Sequence, residues 1–225
     1  MSQHQDIECV IFDCDGVLVD SEVLSQKVLL ALLQEKGVNV DTHYFIAHFL
    51  GRNFDSVTAK VLEDFGVVLD EKFRLLFRER LFHTFDTELV ATAHIQSMLS
   101  AMTLPKCVAT SSSPPRVTHA LEVTGLNTYF DTHVFSTSLV AHGKPAPDIF
   151  LYAAEQMGAD PKRCLVIEDS LSGIKAGLAA QMQVVQFNGA THMQHFGTSS
   201  MRPDIPAVES WAMFTQAYPQ LFHPA

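Results

Sequence analysis

Two carboxylates stand one residue apart in Asp13-Cys14-Asp15-Gly16, directly after the apolar run Cys9-Val-Ile-Phe12. Anions that close repel, so the pair needs a cation, a proton or both. If the run is a strand, the pair sits at its carboxyl end, where open α/β sheets hold their ligands. Gly16 would let the chain turn away sharply. Solvated acids in a loop would show the same spacing. A second acidic pair, Glu168-Asp169, ends the run Cys164-Leu-Val-Ile167 and precedes Ser170-Leu-Ser-Gly173. Asp169 alone could be a helix cap or dipole partner. Two acidic pairs on strands of one parallel sheet, however, make an oxygen-rich cluster suited to a hard cation such as Mg²⁺, which would bridge the carboxylates and a substrate phosphate.

Two segments between these pairs are candidates for binding that phosphate. Thr110-Ser111-Ser112-Ser113 stands just before Pro114-Pro115, which reads as a helix start. Hydroxyls and exposed backbone N–H groups at a helix N-terminus form an anion site, although serine runs are also common in plain loops. Lys144 lies in Gly143-Lys-Pro-Ala-Pro-Asp148, where two prolines stiffen the loop and reduce the entropy lost in holding an ammonium in place. His142 reads as a loop imidazole. The eleven histidines include no HExxH-like pair. His43, His48, His83, His94 and His119 fall in helix-like segments and are expected at or near the surface.

These residues must be carried by strands. Four short runs rich in β-branched residues and without alternation, Cys9–Phe12, Cys107–Ala109, Cys164–Ile167 and Val184–Phe187, read as parallel strands buried on both faces. Helical segments follow at Pro114 to Thr124, Pro147 to Met157 and Ser170 to Gln181, with Gly125 and Gly158 as stops for the first two. Strand then helix, repeated, implies an α/β fold with a doubly wound, Rossmann-like parallel sheet. Residues 20–90 break this rhythm and read as helices only. Ser21 to Lys36 is one, with Asp20 or Ser21 as N-cap and Gly37 as stop, and Glu71 to Phe82 is another, with Phe73, Leu76, Phe77 and Leu81 at helical spacing. The expected organisation is a core of residues 1–19 and 91–225 with a small helical cap, residues 20–90, inserted into it. Phe45, Phe49, Phe54 and Phe65 read as cap core, Trp211 as packing in a C-terminal helix, and Gly189 to Pro206 as a surface loop.

Taken in order, the four segments resemble the signature motifs of the haloacid dehalogenase superfamily. DxDGxLxDS matches residues 13–21, the motif-two hydroxyl matches Thr110, the GKPxPD lysine matches Lys144, and the acidic pair matches Glu168-Asp169. The position of the cap resembles the subgroup of β-phosphoglucomutase and the sugar-phosphate phosphatases. The resemblance implies that Asp13 attacks phosphorus and becomes an aspartyl phosphate. Asp15 would serve as general acid, then base, with its backbone carbonyl on the metal. Thr110, together with Ser111, and Lys144 would hold the phosphoryl oxygens. Asp13, Asp15, Asp169 and Glu168 would form the Mg²⁺ site. Dehalogenases of the superfamily lack the second aspartate, so Asp15 speaks against dehalogenation.

Within the subgroup, the mutase has a cap histidine where this chain has Ser25, and phosphate-binding lysine and arginine where it has Leu50 and Phe54. Hydrolysis is therefore expected rather than transfer, with Arg52 a candidate substrate contact. Asp13-Cys-Asp-Gly16, Glu88-Leu89 and Ser100-Ala-Met-Thr103 before Cys107-Val108 look similar to bacterial 6-phosphogluconate phosphatases, which implies a sugar, sugar-acid or polyol phosphate as substrate. A phosphosugar mutase and a non-catalytic binding protein that kept the fold are the competing readings.

Composition sets the remaining bounds. The 225 residues are 47% hydrophobic, enough for a substantial core. No signal peptide is recognisable, and no apolar stretch nears the roughly 20 residues of a membrane helix. The net charge of -10 speaks against broad nucleic-acid binding. Cys9, Cys14, Cys107 and Cys164 follow no zinc-like or redox-like spacing and fit a reducing cytoplasm. A cytoplasmic monomer acting on a small phosphorylated metabolite, without nucleic-acid or membrane partners, is expected.

Overall fold

Cys9-Val-Ile-Phe12 forms the first strand, β1, and all four of its residues are buried, as a central strand covered on both faces requires. The computed structural model describes residues 6–49, 52, 54–196 and 202–222. After β1 come four helices: α1 (Glu22–Glu35), α2 (Thr42–His48), α3 (Phe54–Phe65) and α4 (Glu71–Glu88). The rest of the chain alternates: α5 (Ile95–Ala101), β2 (Lys106–Thr110), α6 (Pro114–Val123), β3 (Val134–Ser136), α7 (Asp148–Met157), β4 (Cys164–Glu168), α8 (Leu171–Ala179), β5 (Gln183–Phe187), α9 (Thr191–Phe196), β6 (Ala207–Val208) and α10 (Trp211–Ala217). Backbone contacts divide it into two compact units, residues 1–20 with 90–225, and residues 21–89.

In the larger unit six parallel strands run in the order β3-β2-β1-β4-β5-β6. This is the doubly wound α/β fold, with its switch point between β1 and β4, because the chain winds outward in both directions from β1. Alternation along β1 sends Cys9 and Ile11 into a core shared with Ile149, Phe150 and Ala153 of α7 and Ile174 of α8. On the other face Phe12 meets Phe130 and Trp211, and Trp211 stacks on Phe187 at 4.2 Å. Trp211 also donates its indole N–H to Thr92 Oγ1 at 2.9 Å, so packing and a satisfied polar tip coincide. Fully burying side chains of this size contributes about 1.5–3 kcal/mol each. All four cysteines are free and buried.

Several expectations need correction. β3 and β6 were not anticipated; at three and two residues they are too short to show a pattern and exist by pairing on β2 and β5. Gly189 to Pro206 is not all loop, because α9 buries His192 and Met193. Asp20 does not cap α1: its carboxylate accepts from the backbone N–H and Oγ1 of Thr191, and Ser21 occupies the N-cap position, its side chain making no hydrogen bond to the helix's first-turn N–H groups.

In the smaller unit α1 packs on α4. Asp41 and Asp70 cap α2 and α4 through Tyr44 N–H at 2.8 Å and Phe73 N–H at 2.9 Å. α4 runs past Phe82 to Glu88, because Phe85 continues the buried stripe of Phe73 and Leu81. Leu76 is not part of that stripe and is exposed. Phe45 and Phe49 are buried, whereas Phe65 is exposed and meets Tyr44 edge-on. Phe54 packs on Phe77 at 5.5 Å with the Arg74 guanidinium 4.8 Å above its ring. Leu50, Gly51 and Asn53 lie outside the described residues. No helix among the described residues is long and apolar enough to cross a membrane.

Candidate active site

The switch point brings the sequence-distant acids together. Asp13 N–H donates to Ile167 O at 3.0 Å, so the β1–β4 ladder itself delivers Asp13 to the end of β4. The chain then turns tightly, with Leu18 and Val19 N–H both donating to Cys14 O. Asp13, Glu168 and Asp169 each place a carboxylate oxygen within 4.8 Å of the others, and all three are buried. Two glycines make the room. A Cβ on Gly16, whose φ is +78°, would collide with the Asp169 carboxylate, and a Cβ on Gly173, in the first turn of α8, would collide with that of Glu168.

Lys144 arrives from the loop before α7, its side chain only 2% exposed. Its Nζ donates to Asp13 Oδ1 at 2.5 Å, Glu168 Oε1 at 2.6 Å and Ala109 O at 2.9 Å. Glu168 Oε2 accepts from Ser170 N–H at 3.0 Å and Ser170 Oγ at 2.9 Å, so both of its oxygens are fixed. Asp15 is held by Ser112 Oγ at 2.5 Å and Arg116 at 2.7 Å. Thr110, buried at the end of β2, accepts from Ser112 N–H at 3.1 Å.

One ammonium thus faces three buried carboxylates. Burial pushes the Asp13 carboxyl well above its ordinary range; Lys144 pulls it down, and the charges of Glu168, Asp169 and Asp15 push it further up. Burial likewise raises Glu168, against the pull of Lys144. For Lys144 burial acts the other way, yet Asp13 and Glu168 outweigh it and hold the ammonium above its usual value. The surplus of negative charge and the all-oxygen donor set fit a hard divalent cation, which would relieve what one lysine leaves uncompensated.

The structure therefore gathers Asp13, Glu168, Asp169 and Lys144, and places Thr110 and Asp15 on the neighbouring segments that Ser112 ties together. Ser111 is exposed, and the serine that reaches Asp15 is Ser112. Arg52 belongs to the helical unit and is exposed, lining a surface hollow there with His48, Ser56 and Lys60. Ser25 is buried in α1. His142 is exposed and pairs with Asp148 at 3.1 Å. Sequence reasoning missed Arg116 and His192, whose Nε2 lies 3.0 Å from Asp169 Oδ2. Arg116 had a faint signal, sitting in the first turn of a helix that opens on the serine run. His192 had none, in a polar stretch without periodicity.

The chain is similar to known proteins in both sequence and fold. The family model described as haloacid dehalogenase-like hydrolase matches residues 7–181. The 6-phosphogluconate phosphatase of Escherichia coli K12 is 31% identical over 187 residues, covering 83% of this chain and 85% of that protein. The fructose-1-phosphate phosphatase of the same organism is 32% identical over 186 residues, covering 78% and 94%. Among solved structures, a conserved haloacid dehalogenase-like protein of unknown function from Agrobacterium tumefaciens C58 has a TM-score of 0.78 at 29% identity, covering 96% of this chain and 100% of the other. A family hydrolase from Deinococcus radiodurans R1, with bound phosphate and sodium, has a TM-score of 0.72 at 29% identity, covering 97% and 99%.

Proposed function

The chain belongs to the haloacid dehalogenase-like hydrolases and is a phosphatase enzyme, and from that premise we propose that it hydrolyses a small phosphorylated sugar, sugar acid or polyol, with Mg²⁺, through an aspartyl phosphate on Asp13. The observation that carries this reading is Lys144 bridging Asp13 and Glu168 inside a buried acidic cluster at the switch point. Burying such charge costs the fold free energy, and clusters of this kind are concentrated at functional sites.

Asp13 attacks phosphorus and takes the phosphoryl group, which divides one difficult displacement into two easier ones. Lys144 fixes its rotamer in advance, so little orientational entropy remains to be lost. Asp15, positioned by Ser112 and Arg116, donates a proton to the departing oxygen and later takes one from the water that hydrolyses the phosphoenzyme. Thr110 offers an O–H to the phosphoryl oxygens, where negative charge builds, and Lys144 offers its positive charge beside them and an N–H turned away from Ala109 O. Asp13, Asp169 and the backbone carbonyl of Asp15 would hold Mg²⁺, with Glu168 anchoring Lys144 behind them. When bound, the ion offsets charge on the phosphoryl oxygens.

The substrate class rests on the relatives' activities, since 6-phosphogluconate, fructose 1-phosphate and hexitol phosphates are all small phosphorylated carbohydrates. Residues 20–90 are proposed as the cap that selects among them, with Arg52 as a contact. Support comes from connectivity: the chain leaves beside Val19 and returns at Ala91, which bridge each other just beyond β1. Four free cysteines fit a reducing compartment such as the cytoplasm, and a monomer completes the reading. A panel of phosphorylated metabolites, ranked by kcat/KM with Mg²⁺ and again with EDTA, tests it. One or more sugar or polyol phosphates should lead the ranking and EDTA should abolish turnover. Activity indifferent to EDTA, or no carbohydrate phosphate turned over, would overturn it.

A further inference from the structure

Thr191 and His192 open α9, in a stretch whose sequence reads as loop, and both reach the carboxyl-end rim of the sheet. Thr191 donates from N–H and Oγ1 to the Asp20 carboxylate, at 3.2 and 2.9 Å to Oδ1. His192 is 2% exposed, with Nε2 3.0 Å from Asp169 Oδ2. Gly16 closes against both groups, since a Cβ there would strike the Asp169 carboxylate and the His192 ring. Burying an imidazole costs free energy that only a specific polar contact offsets. The contact made here is to one of the three carboxylates that could hold an ion.

The geometry points to His192 as a positioning residue for the divalent-ion site: its Nε2–H donates to Asp169 Oδ2 and holds that carboxylate in one rotamer. A carboxylate has more lone pairs than one hydrogen bond uses, so Asp169 keeps the capacity to bind a cation while losing its freedom to rotate away. This inference rests on the ion reading given above. Hydrogen bonds of this kind behind a metal ligand typically change affinity 10- to 100-fold. A role in packing alone would be satisfied by any side chain of similar size.

The test titrates Mn²⁺, followed by its paramagnetic resonance signal, into the full chain and its variants His192→Leu and His192→Gln, with circular dichroism melts beside each. The leucine variant should bind Mn²⁺ roughly 10- to 100-fold more weakly, while glutamine, which keeps an N–H donor, should restore most of the affinity. Leucine binding as tightly as wild type, or glutamine failing as badly as leucine, overturns the inference. A measurement on the wild type needs no variant to fold. Long-range ¹H–¹⁵N spectra should show His192 protonated at Nε2, with a resonance that moves saturably as Mg²⁺ is added. An unprotonated Nε2, or one indifferent to the ion, also overturns it. A wild type that binds no Mn²⁺ would sink the ion reading and this inference together, whereas normal binding in every variant would sink only the latter.

Discussion

Lysine, arginine and carboxylates pair in both units of the molecule, in opposite surroundings. In the helical unit, Lys27 meets Glu88 at 2.9 Å and Arg80 meets Glu35 at 2.5 Å, each cation with one anion and all four side chains at least 41% exposed. In the sheet unit, Lys144 meets Asp13 and Glu168 at nearly the same distances, but with no side chain of the three more than 9% exposed. Distance alone does not separate these pairs. Solvent screens the exposed ones, which hold little energy and carry no chemistry. The buried group is unbalanced, three carboxylates to one ammonium, and water cannot relieve it. Such an arrangement persists where function requires it, which makes imbalance under burial the physical mark of the site.

The strongest attempt to break this comparison is Asp13→Asn. Hydrolysis of p-nitrophenyl phosphate should fall by about three orders of magnitude or more. The melting temperature should hold or rise, because removing one anion from a crowded cluster relieves repulsion. Retained turnover would refute Asp13 as the nucleophile.

Lys144→Met probes the opposite side of the balance. Three buried carboxylates without their ammonium should cost about 3–5 kcal/mol in urea unfolding, and added Mg²⁺ should recover part of that loss. An unchanged midpoint would show that the cluster was never charged as described.

A smaller effect is expected at Tyr44 in the helical unit. Burial, then its 2.5 Å hydrogen bond to Asp64, pushes its phenol up to about 12 from the ordinary 10. Because the folded value is the higher one, the stabilisation is complete below pH 10 and is lost as pH rises through about 12. Difference absorbance at 295 nm should lose a tyrosine that titrates near the top of that window in Tyr44→Phe, and Asp64→Asn should bring the Tyr44 midpoint down.

Glu35→Gln should do least. It removes the partner of Arg80 in solvent, and neither melting temperature nor activity should move measurably. A clear destabilisation would mean that exposed pairs matter more here than the comparison allows.

The strands that carry the chemistry were legible because each of the central four is a run of apolar residues ending abruptly in polar ones. Short hydrophobic runs admit few other readings when turn and helix signals follow. The edge strands β3 and β6 were illegible for the opposite reason. Three- and two-residue segments have no periodicity, and only a neighbour's free backbone groups make them strands. A run of identical residues does not reveal which serine will reach Asp15, and only the fold gives that place to Ser112. The helix through Thr191 and His192 was invisible in a polar segment, since a buried histidine and a threonine bonded to Asp20 are tertiary facts.

The residue types at positions 13, 15, 110, 144, 168 and 169, taken in order, carried the resemblance that implied the class of chemistry. Paired carboxylates, a hydroxyl and a stiffened lysine suit phosphoryl transfer, because they can hold a cation and balance charge on a phosphoryl group. Tertiary structure alone decided how those groups are poised. Parallel pairing of β1 with β4 put Asp13, Glu168 and Asp169 within one ion's reach, two glycines let them close, and Ser112, Arg116 and His192 took up partners far away in the chain. Such contacts depend on distances through space, and no spacing along a sequence encodes them.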